Sequence, residues 1–139
     1  MSAEVRVLCV DDNEMNRLIV EEALFEDHSL AMAEDGQEAL ALVDSFRPDV
    51  ILLDIMMPGI DGYEVCRRLR KRRKYDHLII IFCSAKAMAS ERTAGLAAGG
   101  NDYITKPFIE DDLRATIARH LERRAAEAAA ASESDWNRD

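Results

Sequence analysis

The sequence predicts an α/β fold, a doubly wound parallel sheet of five strands with helices on both faces. Short apolar runs alternate five times with stretches whose apolar residues recur at helical spacing, the pattern of a parallel sheet covered on both sides. Four of the runs also deliver polar groups: Asp11-Asp12 after Val7-Leu8-Cys9-Val10, Asp54 after Val50-Ile51-Leu52-Leu53, Ser84 after Ile79-Ile80-Ile81-Phe82-Cys83, and Lys106 after Tyr103-Ile104-Thr105. In an open parallel sheet, groups at the carboxyl ends of the strands converge in the crevice where strand order reverses.

The first strand is expected over residues 6–10 and the first helix over 14–26. Asn13 or Asp12 can cap that helix, and Met15, Leu18, Ile19, Glu22 and Ala23 fall on one face of it. Strand two covers 30–33 and helix two 37–45, with Pro48 stopping it before strand three at 50–53. Helix three covers 63–72, strand four 79–83, and helix four 90–98, ended by Gly99-Gly100. Strand five takes 102–105 and the last helix 109–131. Every parallel connection carries a helix, so right-handed crossovers are expected. Residues 122–131 continue the last helix beyond what a two-layer core can cover, helped by Ala, Glu and Arg, all strong helix formers. Residues 132–139 read as a polar tail, with Trp136 part of a disordered end rather than a binding anchor. The division is therefore a folded unit over 1–121 and a helical extension with tail over 122–139. Few large apolar residues follow Arg119, which suits a connector or a weak homodimer better than a stable coiled coil.

Composition narrows the function. The 139 residues make one domain with a single core. A net charge of −9 argues against direct nucleic-acid binding by the domain. The apolar runs are too short to cross a bilayer and the N-terminus lacks the apolar segment of a signal peptide, so a cytoplasmic protein is expected. Cys9, Cys66 and Cys83 form no CxxC or Cys/His cluster and read as small apolar packing groups. Seven of the 18 basic residues fall in 67–74. They read as a solvated face at a helix C-terminus, though they could also dock an acidic partner.

Asp11, Asp12 and Asp54 should meet at the crevice. Three carboxylates so close repel one another unless some are protonated or a cation sits among them. An all-oxygen set with few protein ligands suits Mg²⁺, with Mn²⁺ as the alternative ion. A metal beside a carboxylate, with an ammonium and a hydroxyl across the pocket, is the equipment for phosphoryl transfer: Lys106 neutralises phosphoryl oxygens, Ser84 donates a hydrogen bond and Asp54 attacks in line. Singly, Asp12 could be a helix cap, Lys106 a surface cation and Ser84 a turn former. All of them together are hard to explain that way.

Val10-Asp11-Asp12-Asn13, the stretch Leu53-Asp54-Ile55-Met56-Met57-Pro58-Gly59-Ile60-Asp61-Gly62-Tyr63, Ser84-Ala85-Lys86, and Gly99-Gly100-Asn101-Asp102-Tyr103-Ile104-Thr105-Lys106-Pro107-Phe108 resemble the receiver domain of two-component response regulators. The resemblance covers about residues 5 to 121. The opening Asp-Asp-Asn-Glu-Met-Asn-Arg is most similar to stand-alone or hybrid-kinase-type receivers. It implies a flavodoxin-like strand order 2-1-3-4-5 and makes 1–121 the receiver domain. It implies Asp54 as phosphoacceptor, with Asp12 binding Mg²⁺ directly, Asp11 partly through water, and the Met56 backbone carbonyl as a further ligand beside Asp54. Lys106 would pair with the phosphoryl group, Ser84 would be the switch hydroxyl and Tyr103 the switch aromatic that turns inward when Ser84 moves. Lys106-Pro107 corresponds to a cis position of the family, although sequence alone favours trans. Ser84 replaces the commoner threonine. Met56 and Lys86, two residues after Asp54 and Ser84, flank the approach of hydrolytic water and would tune the lifetime of the phosphoryl group.

Other readings fit less well. A flavodoxin-like cofactor binder would place phosphate beside Asp11-Asp12, which repels it. A haloacid-dehalogenase-type phosphatase needs an acid where Met56 stands. A pseudo-receiver, working without phosphate, usually lacks an acid or the lysine, and none is missing. The expected function is a phosphorylation-controlled switch, not a turnover enzyme, charged by a histidine kinase or a histidine phosphotransfer protein. Its changed partner-binding face would be made by helix four, strand five and helix five, with the downstream partner unnamed.

Overall fold

The computed structural model describes residues 4–86 and 88–136. Five strands alternate with five helices: β1 Val5–Val10, α1 Glu14–Leu24, β2 His28–Ala33, α2 Gly36–Phe46, β3 Val50–Asp54, α3 Gly62–Arg70, β4 Ile79–Ser84, α4 Ala89–Ala97, β5 Asp102–Thr105 and α5 Glu110–Trp136, with a short 3₁₀ turn at Arg73–Tyr75 before β4. The strands form one parallel sheet in the order β2-β1-β3-β4-β5, as the sequence and its resemblance imply.

Because strand side chains alternate between faces, the sheet splits the single core expected from length into two apolar clusters, one on each face. Val7, Cys9, Val50, Leu52, Ile79 and Ile81 face α1 and α5, where Val20, Leu24, Leu113 and Ile117 meet them. Leu8, Val10, Ile51, Leu53, Ile80 and Phe82 face the other way, against Ala39 and Val43 of α2 and Val65 and Leu69 of α3. Each of the first three helices starts with a side-chain cap at the carboxyl edge of the sheet. Asn13 accepts from the amide of Asn16, Asp35 from Glu38 and Asp61 from Glu64, satisfying amides that the helix itself leaves free.

Two expectations are corrected, and a third at one residue. The inner face of α1 is Val20, Ala23 and Leu24, whereas Met15 is 63% and Leu18 46% exposed. The apolar stripe of this helix is wide, and packing against β1 and α5 selects which part is covered. The last helix does not stop at a polar tail from residue 132 but runs through Trp136, since nothing after Pro107 is Gly or Pro and Ser, Glu and Asp only weaken a helix once it is started. The Trp136 side chain and residues 137–139 lie outside the described residues. The basic run is the solvated face expected except at Arg70, the other six basic residues being exposed. Arg67 and Arg68 pair with Glu64, and Arg72 and Lys74 pair with Asp44. Arg70 donates to the carbonyls of Gly99 and Tyr75 and to Asn101 Oδ1, tying α3 to the loop before β5. The three cysteines are free and buried. Burial pushes the Cys9 thiol up to about 12 and that of Cys66 to about 11, so they pack as apolar groups.

Candidate functional site

Sheet register assembles the site. Val10 pairs with Leu53, so Asp11 follows beside Asp54. Asp54 pairs with Cys83 and Ser84 with Thr105, which places Ser84 and then Lys106 one step farther along the same edge. The turn after β3 closes against this edge. Gly59 has φ +80, and a Cβ on Gly62 would stand 2.3 Å from the Asp54 carbonyl oxygen, so only glycine lets α3 start that close to the end of β3.

The side chains converge as the strand ends predict. Lys106 Nζ lies 2.6 Å from Asp11 Oδ2 and 3.4 Å from Asp54 Oδ2. Carboxylate oxygens of Asp11, Asp12 and Asp54 lie within 4.8 Å of one another, the one acidic or His/Cys group among the described residues close enough to share an ion. Asp11 and Asp54 are buried and Asp12 is exposed. The Met56 amide points at Asp54 Oδ1 across 3.4 Å, a long contact. Burial pushes the Asp54 carboxyl up to about 6, with the Lys106 cation opposing the rise and the Asp11 charge adding to it. Burial alone would lower Lys106, but its hydrogen bond to Asp11 and the charges of Asp54 and Asp11 outweigh that and hold the ammonium above its ordinary value. One ammonium thus pairs with two of three clustered carboxylates. The oxygen donors and this excess of negative charge fit a hard divalent cation.

Ser84 is buried, and its hydroxyl accepts from the Lys86 amide at 3.1 Å, while its carbonyl accepts from the Lys106 amide at 2.7 Å. Tyr103 is packed inward under α4, its phenol directed at the Lys86 carbonyl and at Glu91 Oε2, 2.6 Å away. Burial, reinforced by the Glu91 carboxylate, pushes this phenol up to about 12. Met56 is 68% exposed and lines a cleft with Asp12, Met57, Pro58 and Asp61. Lys86 is exposed. The Lys106-Pro107 peptide is cis. Two residues that sequence reasoning left without a role come into contact with this machinery. Glu91 holds the Tyr103 phenol, and Arg17 donates to the Asp11 carbonyl at 2.7 Å. Arg17 stands within the opening motif, but nothing local marks its target.

Comparison with known proteins agrees. The family model described as the response regulator receiver domain matches residues 7–118. The response regulator MprA of Mycolicibacterium vanbaalenii is 44% identical over 97% of this chain and 60% of its own length, and that of Mycobacterium leprae is 44% identical with the same coverage. The chain therefore spans about 60% of the length of these relatives. Among solved structures, the Vibrio cholerae chemotaxis protein CheY4 superposes with a TM-score of 0.81 at 31% identity, over 84% of this chain and 98% of that one. A response regulator/GGDEF domain protein reaches 0.81 at 29% identity, over 88% of this chain and 51% of that one. With the 2-1-3-4-5 sheet, the acid cluster and the lysine on one edge, and a family match across most of its length, this chain belongs to the response regulator receiver domain family.

Proposed function

We propose that this chain is a phosphorylation-controlled switch that takes a phosphoryl group on Asp54 from a histidine kinase, a histidine phosphotransfer protein or a small phosphodonor. The observation that supports it most is the meeting of Asp54 with Lys106 at 3.4 Å and with Asp11 and Asp12 within 4.8 Å. An Asp54 oxygen forms the bond to phosphorus as the donor's P–N bond breaks, or its P–O bond for acetyl phosphate. The departing imidazole takes its proton from solvent. Asp12 would hold Mg²⁺ or Mn²⁺ directly, Asp11 partly through water, and Asp54 and the Met56 carbonyl would complete the protein ligands. When bound, the ion offsets carboxylate repulsion and neutralises phosphoryl oxygens. Lys106 then pairs with one phosphoryl oxygen and Ser84, released from the Lys86 amide, donates to another. Met15 and Leu18, exposed on α1 after the acid pair, offer a docking phosphodonor an apolar contact beside the site. The domain modifies itself once per signal and is not a turnover enzyme. Three free, buried thiols suit work in the reducing cytoplasm.

Intact-mass measurement tests this. Wild-type protein is expected to gain one phosphoryl group from acetyl phosphate with Mg²⁺ and none with EDTA, and Asp54→Asn none in either. The same gain on Asp54→Asn would place the acceptor elsewhere.

A further inference from the structure

Arg17 lies on α1 with its side chain only 16% exposed. Its Nη1 donates to the Asp11 main-chain carbonyl at 2.7 Å, while Nη2 stands 3.6 Å from Glu34, whose side chain is 70% exposed. A guanidinium withdrawn from water for so loose an ion pair gains little from it, because exposed pairs contribute about 0–1 kcal/mol. The close partner is the carbonyl. Asp11 is held at every other polar group as well: its amide donates to the Ala33 carbonyl at 3.0 Å, Oδ1 accepts from the Asn13 amide at 2.9 Å, and Oδ2 accepts from Lys106 at 2.6 Å. Asp12, exposed and next along the chain, takes its direction from the same backbone. The Asn13 cap and the first turn of α1 close the arrangement, since the Arg17 amide donates to the Asn13 carbonyl at 3.2 Å.

We infer that Arg17 is a positioning residue for the cation site: by clamping the Asp11 carbonyl it fixes the turn between β1 and α1, and so aims the carboxylates of Asp11 and Asp12 at Asp54. This rests on the reading of the site given above. A group that orients metal ligands is read in how tightly the ion is held, its loss typically costing about 10–100-fold in affinity. Arg17→Lys separates clamp from charge, since it keeps the cation on a shorter side chain that withdraws the donor from the Asp11 carbonyl, and Arg17→Met removes both.

The test titrates Mg²⁺ by calorimetry into wild-type, Arg17→Lys and Arg17→Met proteins. Labelling rates are followed against Mg²⁺ with acetyl phosphate, and amide exchange at Asn13 is measured in metal-free protein. Both variants are expected to bind Mg²⁺ about tenfold more weakly, to exchange the Asn13 amide faster, and to reach the wild-type labelling rate at saturating Mg²⁺. Glu34→Gln should change none of these. An Arg17→Lys protein with wild-type affinity and exchange would overturn the inference, as would a lower saturating rate at unchanged affinity or a Glu34→Gln protein that reproduces the loss. If Arg17→Met does not fold, Arg17→Lys decides. A wild-type protein that takes up no Mg²⁺ would defeat the reading of the site, and Asn13 exchange would still judge the clamp.

Discussion

At Asp54 one carboxyl would serve both stability and the proposed chemistry, and the two pull in opposite directions. Its folded value near 6 lies above the ordinary 3.8, so the folded state holds this proton more tightly than the unfolded one. Its contribution is therefore complete below about pH 4 and lost as pH rises through 6, leaving the metal-free fold penalised at neutral pH. Asp54→Asn in EDTA should be more stable than wild type at pH 7.5 by about 1–3 kcal/mol, with the gap closing at pH 4. Urea denaturation at the two pH values checks it, and an equal gap at both would show that Asp54 is not strained by burial. The exposed Met56 is expected to bear on the lifetime of a phosphoryl group on Asp54. Neither its thioether nor the Lys86 ammonium can accept a proton from attacking water. Met56→Asn should speed loss of the phosphoryl group by about tenfold, or roughly 1.4 kcal/mol of barrier. Equal decay after donor removal would clear Met56 of setting the lifetime.

Between elements, a chain of contacts links the end of β4 through α4 to β5. Glu91 joins two tyrosines: its carbonyl accepts from Tyr63 at 3.2 Å and its carboxylate from Tyr103 at 2.6 Å, while the Arg92 guanidinium lies 5.3 Å over the Tyr103 ring. The inward position of Tyr103 thus has a partner on α4 as well as the Lys86 carbonyl. A hydrogen bond worth about 1 kcal/mol corresponds to roughly a fivefold population change. Glu91→Ala is expected to raise the outward population of Tyr103 by about that factor, read by fluorotyrosine NMR. Unchanged spectra would remove Glu91 from the switch. Ser84→Ala should keep phosphorylation largely intact and uncouple it from the Tyr103 signal.

Across the whole molecule, α5 is bound to the body farther along than its sequence suggests. His120 and Arg119 each meet Asp102 at 2.7 Å, and Arg124 reaches Asp49 Oδ1 at 3.1 Å and the His77 carbonyl at 3.3 Å. Asp102 is held below the usual carboxylate range because its bonds from His120 and the Tyr103 amide, with the His120 and Arg119 charges, outweigh burial. A chain cut after Leu121 should lose about 1 kcal/mol against one cut after Glu127, measured by urea midpoint, and equal midpoints would restore 121 as the end of the folded unit. From Ala125 to Ala131 the helix carries no apolar side chain larger than alanine. Sedimentation of the unphosphorylated chain should show monomer or weak association, against which a tight dimer abolished by deletion after Leu121 would count.

The five strands, the helices between them and the residues gathered at Asp54 are legible in the sequence because each rests on a local pattern. Apolar runs of strand length, caps such as Asn13 and Asp61, and polar residues set at strand ends carry their meaning within a few positions. Register then brings Asp11, Asp54 and Lys106 together with no further information. The face that α1 buries, the clamp of Arg17 on Asp11, the reach of Arg70 and Arg124, and the bond between Glu91 and Tyr103 were decided by tertiary structure alone. A wide apolar stripe allows several helix rotations of similar burial, and a long guanidinium accepts any carbonyl or carboxylate within its reach. Which of these is realised depends on how helices settle on a twisted sheet, a consequence of packing many distant residues at once that no local stretch of sequence encodes.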